Sequence, residues 1–347
     1  MGRDTTRGTI PLLSLAVIVR NQAAELAELL VHHRDLYDEA VVVDTGSSDD
    51  SADVAGRLAG RVHRFPWNDD FSAARNHSLG HCRGAWILVL DCDERIDSRD
   101  FPSVRAACRN GEAAGYILEQ RSYCRPTGDP AFVPQPGSGD VPGGAGAAGY
   151  VPEPTVRLFP GGRGLRYRGR VHESLAEALA EAGIPARDLG IPVHHFGHLE
   201  GSEGKRRRTS LYGRLLRSKI REEGPSPRTC REMATQLLAE GRRDLARRFL
   251  ETALVDDPVG EEVHRVRSLL GRLDLADGRP EAARVQFHSA LRLRPDSWAC
   301  WADAVRFHRS QGEDDLAARY LEKARRLFPV NRGLQELESQ VSRDRGR

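Results

Sequence analysis

The sequence predicts an α/β domain, a Rossmann-like and mostly parallel sheet covered by helices, followed by an all-α domain of helical repeats. Three observations carry that prediction. Apolar runs alternate with helical periodicity through the first hundred residues, and each run stops at polar residues. A stretch crowded with Pro and Gly then breaks all periodicity. In the last third, Gly, Ala and Pro recur in register at a period typical of paired helices.

The elements follow in order. Residues 12–19 form an apolar run broken only by Ser14, as expected of a strand covered on both faces. Leu26, Leu29, Leu30, His33 and Leu36 then recur at helical spacing. Residues 40–43 are a second buried strand, stopped by Asp44-Thr45-Gly46-Ser47-Ser48; Asp49 or Ser51 is placed to cap the helix carrying Val54, Ala55 and Leu58. A short strand over 62–65, a helix over 71–79 and a buried strand over 86–90 come next, and the last ends abruptly in Asp91-Cys92-Asp93-Glu94. Four β-α units in succession favour parallel pairing. Parallel sheets bind ligands at the carboxyl ends of their strands, so the polar residues just beyond these strands are the ones to examine.

After a strand-like 116–118, residues 125–149 read as a mobile Pro/Gly-rich loop, placed to act as a lid, and order resumes at 154–159. The expected boundaries are a sheet domain over 1–200, a basic linker over 201–225 containing Lys205-Arg206-Arg207-Arg208, and repeats over 226–347. In those repeats Gly241, Gly278 and Gly312 each end a helix. Ala follows at 246, 283 and 317, a large apolar residue at 250, 287 and 321, Ala again at 253, 290 and 324, and Pro at 258, 295 and 329. Gly turns the chain between helices, small Ala lets paired helices approach, and Pro ends the second helix. The pattern is similar to tetratricopeptide repeats, with 335–341 as a capping helix.

Composition removes several classes. The apolar run over 10–19 has about half the length of a bilayer crossing. The net charge of +2 hides a split: residues 1–200 hold 21 basic and 27 acidic residues, residues 201–347 hold 31 and 23. The excess lies in 201–250, read either as solvated helix faces or as a patch for an acidic partner. No aromatic or zinc motif accompanies the Arg run, so nucleic acid is not expected. None of the six Cys forms C-x-x-C, which leaves reduced thiols and a cytoplasmic setting as the expectation.

Asp91-Cys92-Asp93 lies where a buried strand meets solvent. Two carboxylates so close repel unless a cation lies beside them. A divalent metal bridging a diphosphate would supply it, with hard oxygen ligands suited to Mg²⁺ or Mn²⁺; a turn or helix cap is the alternative. Asp44 holds a similar position, suited to a ribose hydroxyl or a base. Arg20-Asn21-Gln22 after the first strand is no Gly-rich turn, and neither a P-loop nor G-x-S-x-G occurs.

Residues 15–21, Val41-Val42-Val43-Asp44-Thr45-Gly46-Ser47-Ser48-Asp49, the run from Phe65 through Trp67, Asp70 and Arg75 to Asn76, and Trp86-Ile87-Leu88-Val89-Leu90-Asp91-Cys92-Asp93-Glu94 together resemble family 2 glycosyltransferases of the GT-A fold. The similarity is strongest over 12–95 and returns at 155–159, 169–175 and 195–198. The branch it most resembles joins this domain to tetratricopeptide repeats and includes peptide S-glycosyltransferases of the sublancin type. Two residues depart from the pattern: Gln22, where the family often has Glu, and Cys92, where it usually has Ala.

The resemblance implies a nucleotide-sugar donor, first of all a UDP-sugar, metal-assisted by Mn²⁺ or Mg²⁺ and attacked with inversion at the anomeric carbon. Asp44 would meet the nucleoside, Asp91 the ribose or metal-bound water, and Asp93 the metal. Arg75 and Asn76 fall where the family places donor contacts, and Asp70 either joins them or caps a helix. An inverting transfer needs a base, for which Glu173 stands roughly where the family's acidic base falls. His172 either orients that Glu or packs. His195 is expected on the donor metal; a zinc site of His194, His195 and His198 is a competing reading. The expected acceptor is a peptide or protein held partly by the repeats. Alternatives are a small-molecule or envelope-precursor acceptor with the repeats forming a homo-oligomer, a non-catalytic scaffold, and a metal hydrolase. The absence of Q-x-x-R-W argues against a processive polysaccharide synthase.

Overall fold

The computed structural model describes residues 10–110, 112–124, 133–134, 147–197, 202–256 and 262–328. The loop expected over 125–149 falls mainly outside them, and the capping helix expected over 335–341 falls wholly outside. Two compact units result, one of residues 1–125 and 135–200 and one of residues 126–134 and 201–347.

The chain up to residue 200 runs β1 (Leu13–Val19), α1 (Ala23–His32), β2 (Glu39–Asp44), α2 (Ser51–Leu58), β3 (Val62–Arg64), α3 (Phe71–His81), β4 (Trp86–Val89), β5 (Glu94–Arg95), α4 (Phe101–Asn110), β6 (Gly115–Cys124), β7 (Val133–Pro134), β8 (Gly149–Pro160), α5 (Ala176–Glu181) and β9 (Ala186–His195). The sheet order is β3-β2-β1-β4-β8-β6-β9-β5. β1 pairs parallel with β2 and β4, and β2 with β3, as the four β-α units predict. The far half is mixed: β8 runs antiparallel to both β4 and β6, while β6 and β9 are parallel.

β1 and β4 are apolar because both faces are covered; Leu13, Leu15, Val17, Leu88 and Leu90 share a core with Leu26, Leu29 and Leu30 of α1. The strands that the sequence shows as short apolar runs at 116–118 and 154–159 are longer: β6 continues through Glu119-Gln120-Arg121-Ser122 to Cys124, and β8 begins at Gly149. At α2 neither expected residue is the cap: the N-cap is Asp50, which makes no side-chain cap bond, while Asp49 Oδ1 accepts both the N–H and the hydroxyl of Ser51, the first residue of the helix.

In the second unit the expected linker is instead a 22-residue helix, α6 (Ser202–Glu223). Its charge masks a buried face: Leu215, Leu216 and Lys219 are buried, and Lys219 reaches Glu232 at 3.7 Å. Three helix pairs follow, α7 (Pro227–Ala239) with α8 (Arg243–Asp256), α9 (Val263–Ala276) with α10 (Pro280–Leu293), and α11 (Trp298–Ser310) with α12 (Asp314–Leu327). Gly241, Gly278 and Gly312 turn between partners at φ 76°, 71° and 73°. All six repeat alanines are buried, as are Leu250, Phe287 and Leu321. The second unit consists of tetratricopeptide-type repeats. Among the described residues no helix is long and apolar enough to cross a membrane.

Candidate active site

Parallel pairing brings the carboxyl ends of β1, β2 and β4 to one edge of the sheet, and Asn21, Asp44 and Asp91 arrive there together. Asp44 is 5% exposed, and its Oδ1 accepts the Ser47 N–H at 3.0 Å, closing the turn after β2. Asn21, in a left-handed conformation at φ 53°, accepts the Ser48 N–H at 2.7 Å and so ties the loops after β1 and β2.

α3 positions the next group. Asp70 is its N-cap, accepting the Ala73 N–H at 3.0 Å and the Ser72 hydroxyl at 2.7 Å. One turn on, Asn76 closes both ends of its amide on one backbone unit: Nδ2 donates to Tyr167 O at 2.9 Å, and Oδ1 accepts the Tyr167 N–H at 2.8 Å. Asn76, expected at the donor, holds the Tyr167 backbone at both ends of its amide. Phe71 N–H adds a bond to Arg170 O at 2.9 Å, so α3 grips the 167–173 segment at two points. Glu173 is thereby delivered to Arg75.

Arg75 is the centre of the site. Its Nε donates to Glu173 Oε1, its Nη2 donates to Asp91 Oδ1 at 2.9 Å, and its guanidinium lies 5.7 Å from the Tyr167 ring centroid. Arg157, also buried, pairs with Glu94 and stands 3.8 Å from Asp91 Oδ2. Burial by itself would raise the Asp91 carboxyl; the guanidiniums of Arg75 and Arg157 outweigh it and hold the group at about 2. Glu94 accepts the Asp91 N–H at 2.8 Å, and burial pushes its carboxyl up against the opposing pull of Arg157.

Asp93 faces a different partner. His195, at the end of β9 and in register with Glu94 and Ser122, brings Nε2 to 3.3 Å from Asp93 Oδ2. Burial lowers the His195 pKa, and the Asp93 carboxylate more than restores it. Cys92 between the two acids is buried, and burial pushes its thiol up, away from nucleophilic use. His194 stacks on Tyr123 and meets its hydroxyl at 2.9 Å, while His198 lies outside the described residues. His172 is exposed at φ 53°, and Arg75 donates to Glu173.

Sequence reasoning missed Arg157, Glu94 and Gln120. An Arg inside the apolar run Val156-Arg157-Leu158-Phe159 is itself a pointer, because a buried guanidinium requires carboxylates nearby. Gln120 carries no such sign.

Residues 14–140 match the family model of glycosyl transferase family 2. The N-terminal unit carries a family 2 glycosyltransferase domain. A TPR repeat-containing protein of Synechococcus elongatus is 25% identical over 317 residues, covering 88% of this chain and 73% of that protein. The SPbeta prophage-derived glycosyltransferase SunS of Bacillus subtilis is 28% identical over 221 residues, 63% of this chain and 47% of SunS. A glycosyltransferase of Rickettsia felis is 31% identical over 84 residues, 24% of this chain and 29% of that protein. The chain therefore spans less than half the length of SunS and under a third of the Rickettsia protein. Among solved structures, residues 1–349 of S. aureus TarS align with TM-score 0.36 at 12% identity, over 86% of this chain and 91% of that one.

Family 2 glycosyltransferases commonly use a divalent cation. In this glycosyltransferase domain the three expected donors do not fit it as a set. Asp91 is neutralised by two guanidiniums, His195 turns its Nε2 to Asp93, and no group of three or more His, Cys, Asp or Glu among the described residues is arranged to hold an ion.

Proposed function

We propose that the chain transfers a sugar, with inversion, from a nucleotide-sugar donor to a peptide or protein acceptor. The observation that carries the reading is the Asp91–Arg75–Glu173 chain: one buried guanidinium holds the candidate base and the first acid of the D-x-D motif in a fixed relation. An acceptor hydroxyl, thiol or amide attacks the anomeric carbon, and the bond from that carbon to the diphosphate breaks with its electron pair. Glu173 takes the acceptor's proton. Asp44 and Asp91 bind the nucleoside and ribose, and Arg75 and Arg157 place buried positive charge where negative charge develops on the departing diphosphate. Of the two D-x-D acids, Asp91 carries guanidiniums and Asp93 meets His195, so Asp93 is the one that would meet the Mn²⁺ or Mg²⁺ expected of the family.

The peptide acceptor is supported by the resemblance to sublancin-type enzymes and by the repeat unit, whose stacked helix pairs form a surface suited to an extended chain. The test is a thermal-shift screen of UDP-, GDP- and dTDP-hexoses with and without Mn²⁺. It is followed by incubation with a Ser/Thr/Cys-containing peptide library and mass spectrometry. A donor-specific shift and a hexose increment on peptide are expected. No shift with any donor would overturn the transferase reading, and free hexose without glycosylated peptide would overturn the acceptor.

A further inference from the structure

A ring of side chains joins the two acids of the D-x-D motif through the sheet, and it fixes a proton. Arg157 Nη2 donates to Gln120 Oε1 at 2.8 Å. A guanidinium has donors only, so this contact decides which end of the Gln120 amide is oxygen. The other end, Nε2, then faces His195 Nδ1 at 3.1 Å and Ser122 Oγ at 3.3 Å. An amide nitrogen only donates, so one of its hydrogens goes to the serine oxygen and the other to Nδ1. Ser122, having accepted from Gln120, is free to direct its own hydrogen to Nδ1, which lies 3.0 Å away. Two donors converge on Nδ1, and Nδ1 carries no hydrogen. The neutral ring therefore holds its proton on Nε2, 3.3 Å from Asp93 Oδ2.

The backbone explains why these groups meet. Gln120 and Ser122 are two apart on β6 and share a face, and Ser122 is the register partner of His195 on the parallel strand β9. Arg157 comes from β8 on the other side of β6, and Glu94 anchors it.

We propose that Gln120 is a positioning residue that locks His195 as the Nε2–H tautomer, so that His195 orients the Asp93 carboxylate by donating to it instead of ligating a cation. An imidazole nitrogen bearing hydrogen has no lone pair for a metal. The inference concerns the site of the proposed transfer and rests on that reading for its catalytic meaning. The tautomer itself is measurable whether or not sugar is transferred.

The test is long-range ¹H–¹⁵N NMR of the full chain labelled with ¹⁵N-histidine, with pH raised from about 8.5 until the His195 signals are those of a neutral ring, because Asp93 holds its pKa above the ordinary imidazole range. The chain has 12 His, and the His195 signals are assigned by their loss in His195→Gln. The wild-type spectrum is expected to show the His195 proton on Nε2. Gln120→Glu replaces the donating amide with an acceptor and is expected to move that proton to Nδ1. A wild-type proton on Nδ1, or a Gln120→Glu variant that folds and leaves the proton on Nε2, would overturn the proposal. If Gln120→Glu does not fold, the wild-type spectrum decides alone.

Discussion

Arg75 on α3 holds Glu173, 98 residues further along the chain, through Nε, while its Nη2 stays on Asp91 at 2.9 Å. A planar guanidinium offers donors along two edges, so two carboxylates from distant parts of the chain are set by one side chain. The fold spends α3 on this: Asp70 caps it, Phe71 and Asn76 clamp the segment bearing Glu173, and Arg75 lies between them.

Glu173→Gln is accordingly the sharpest probe of the chemistry. The amide keeps the size of the side chain and still accepts from Arg75, yet it takes up no proton. Turnover is expected to fall by roughly 10²–10⁴-fold, the ordinary contribution of a general base. Donor affinity, measured by calorimetry, is expected to stay at the wild-type value. Arg75→Met acts differently: it leaves Glu173 without its cation and Asp91 with Arg157 alone, and breaking a buried pair from one side costs about 3–5 kcal/mol. Its signature is a large loss of unfolding free energy, which Glu173→Gln does not share. Undiminished turnover in Glu173→Gln would remove Glu173 as the base.

The difference between these residues and their neighbours shows what linear sequence conveys. Asp91 and Asp93 are legible because an apolar strand stops at them, and local pattern suffices for that. Arg75 and Asn76 look alike in sequence, adjacent and polar on one helix. Only tertiary pairing separates them, since the partner of Asn76 is a backbone unit 91 residues away. Glu173 follows no strand of the parallel half, and it was found through family resemblance rather than periodicity. Gln120 is silent in sequence because its role depends on β8 and β9 flanking β6. The basic run at 205–208 misleads in the opposite direction: its charges conceal the spacing of Leu215, Leu216 and Lys219 on a continuous helix. The repeat glycines and alanines were readable because each repeat is a local unit.

Acid sensitivity follows from His33. The ring is fully buried; Nδ1 donates to Leu29 O at 2.9 Å and Nε2 accepts the Ile96 N–H at 3.1 Å, so both nitrogens are committed in the neutral form. Burial, aided by the charges of His32 and Arg95, takes its pKa down to about 3. The unfolded ring titrates near 6.5. Below that pH the unfolded chain takes up a proton that the folded ring refuses, so the stabilisation present above about pH 6.5 is lost progressively as pH falls toward 3. Between about pH 7.5 and about pH 5 the loss amounts to about 2 kcal/mol from this one group. In urea unfolding of wild type and His33→Gln at both pH values, wild type is expected to lose about 2 kcal/mol more than the variant. Parallel pH profiles would contradict this account of His33.

Two glycines of the second repeat test its packing, because they are glycine for different reasons. Gly278 turns between α9 and α10 at φ 71° with open space where a Cβ would stand, so Gly278→Ala meets backbone strain of about 1–2 kcal/mol and nothing else. Gly271 lies inside α9, where alanine would gain about 1 kcal/mol of helix propensity in isolation. Here, however, a Cβ would sit 2.8–3.0 Å from three carbons of the Phe287 ring on α10. Overpacking of that kind costs roughly 1–3 kcal/mol and is expected to exceed the propensity gain. The two causes separate in a double-mutant cycle with Phe287→Leu, read by chemical unfolding of the full chain. Removing the ring is expected to relieve Gly271→Ala by about 1 kcal/mol or more and to leave Gly278→Ala unchanged within about 0.5 kcal/mol. The opposite assignment of coupling would mean that α9 and α10 approach at the turn rather than along the helix face that Phe287 fills.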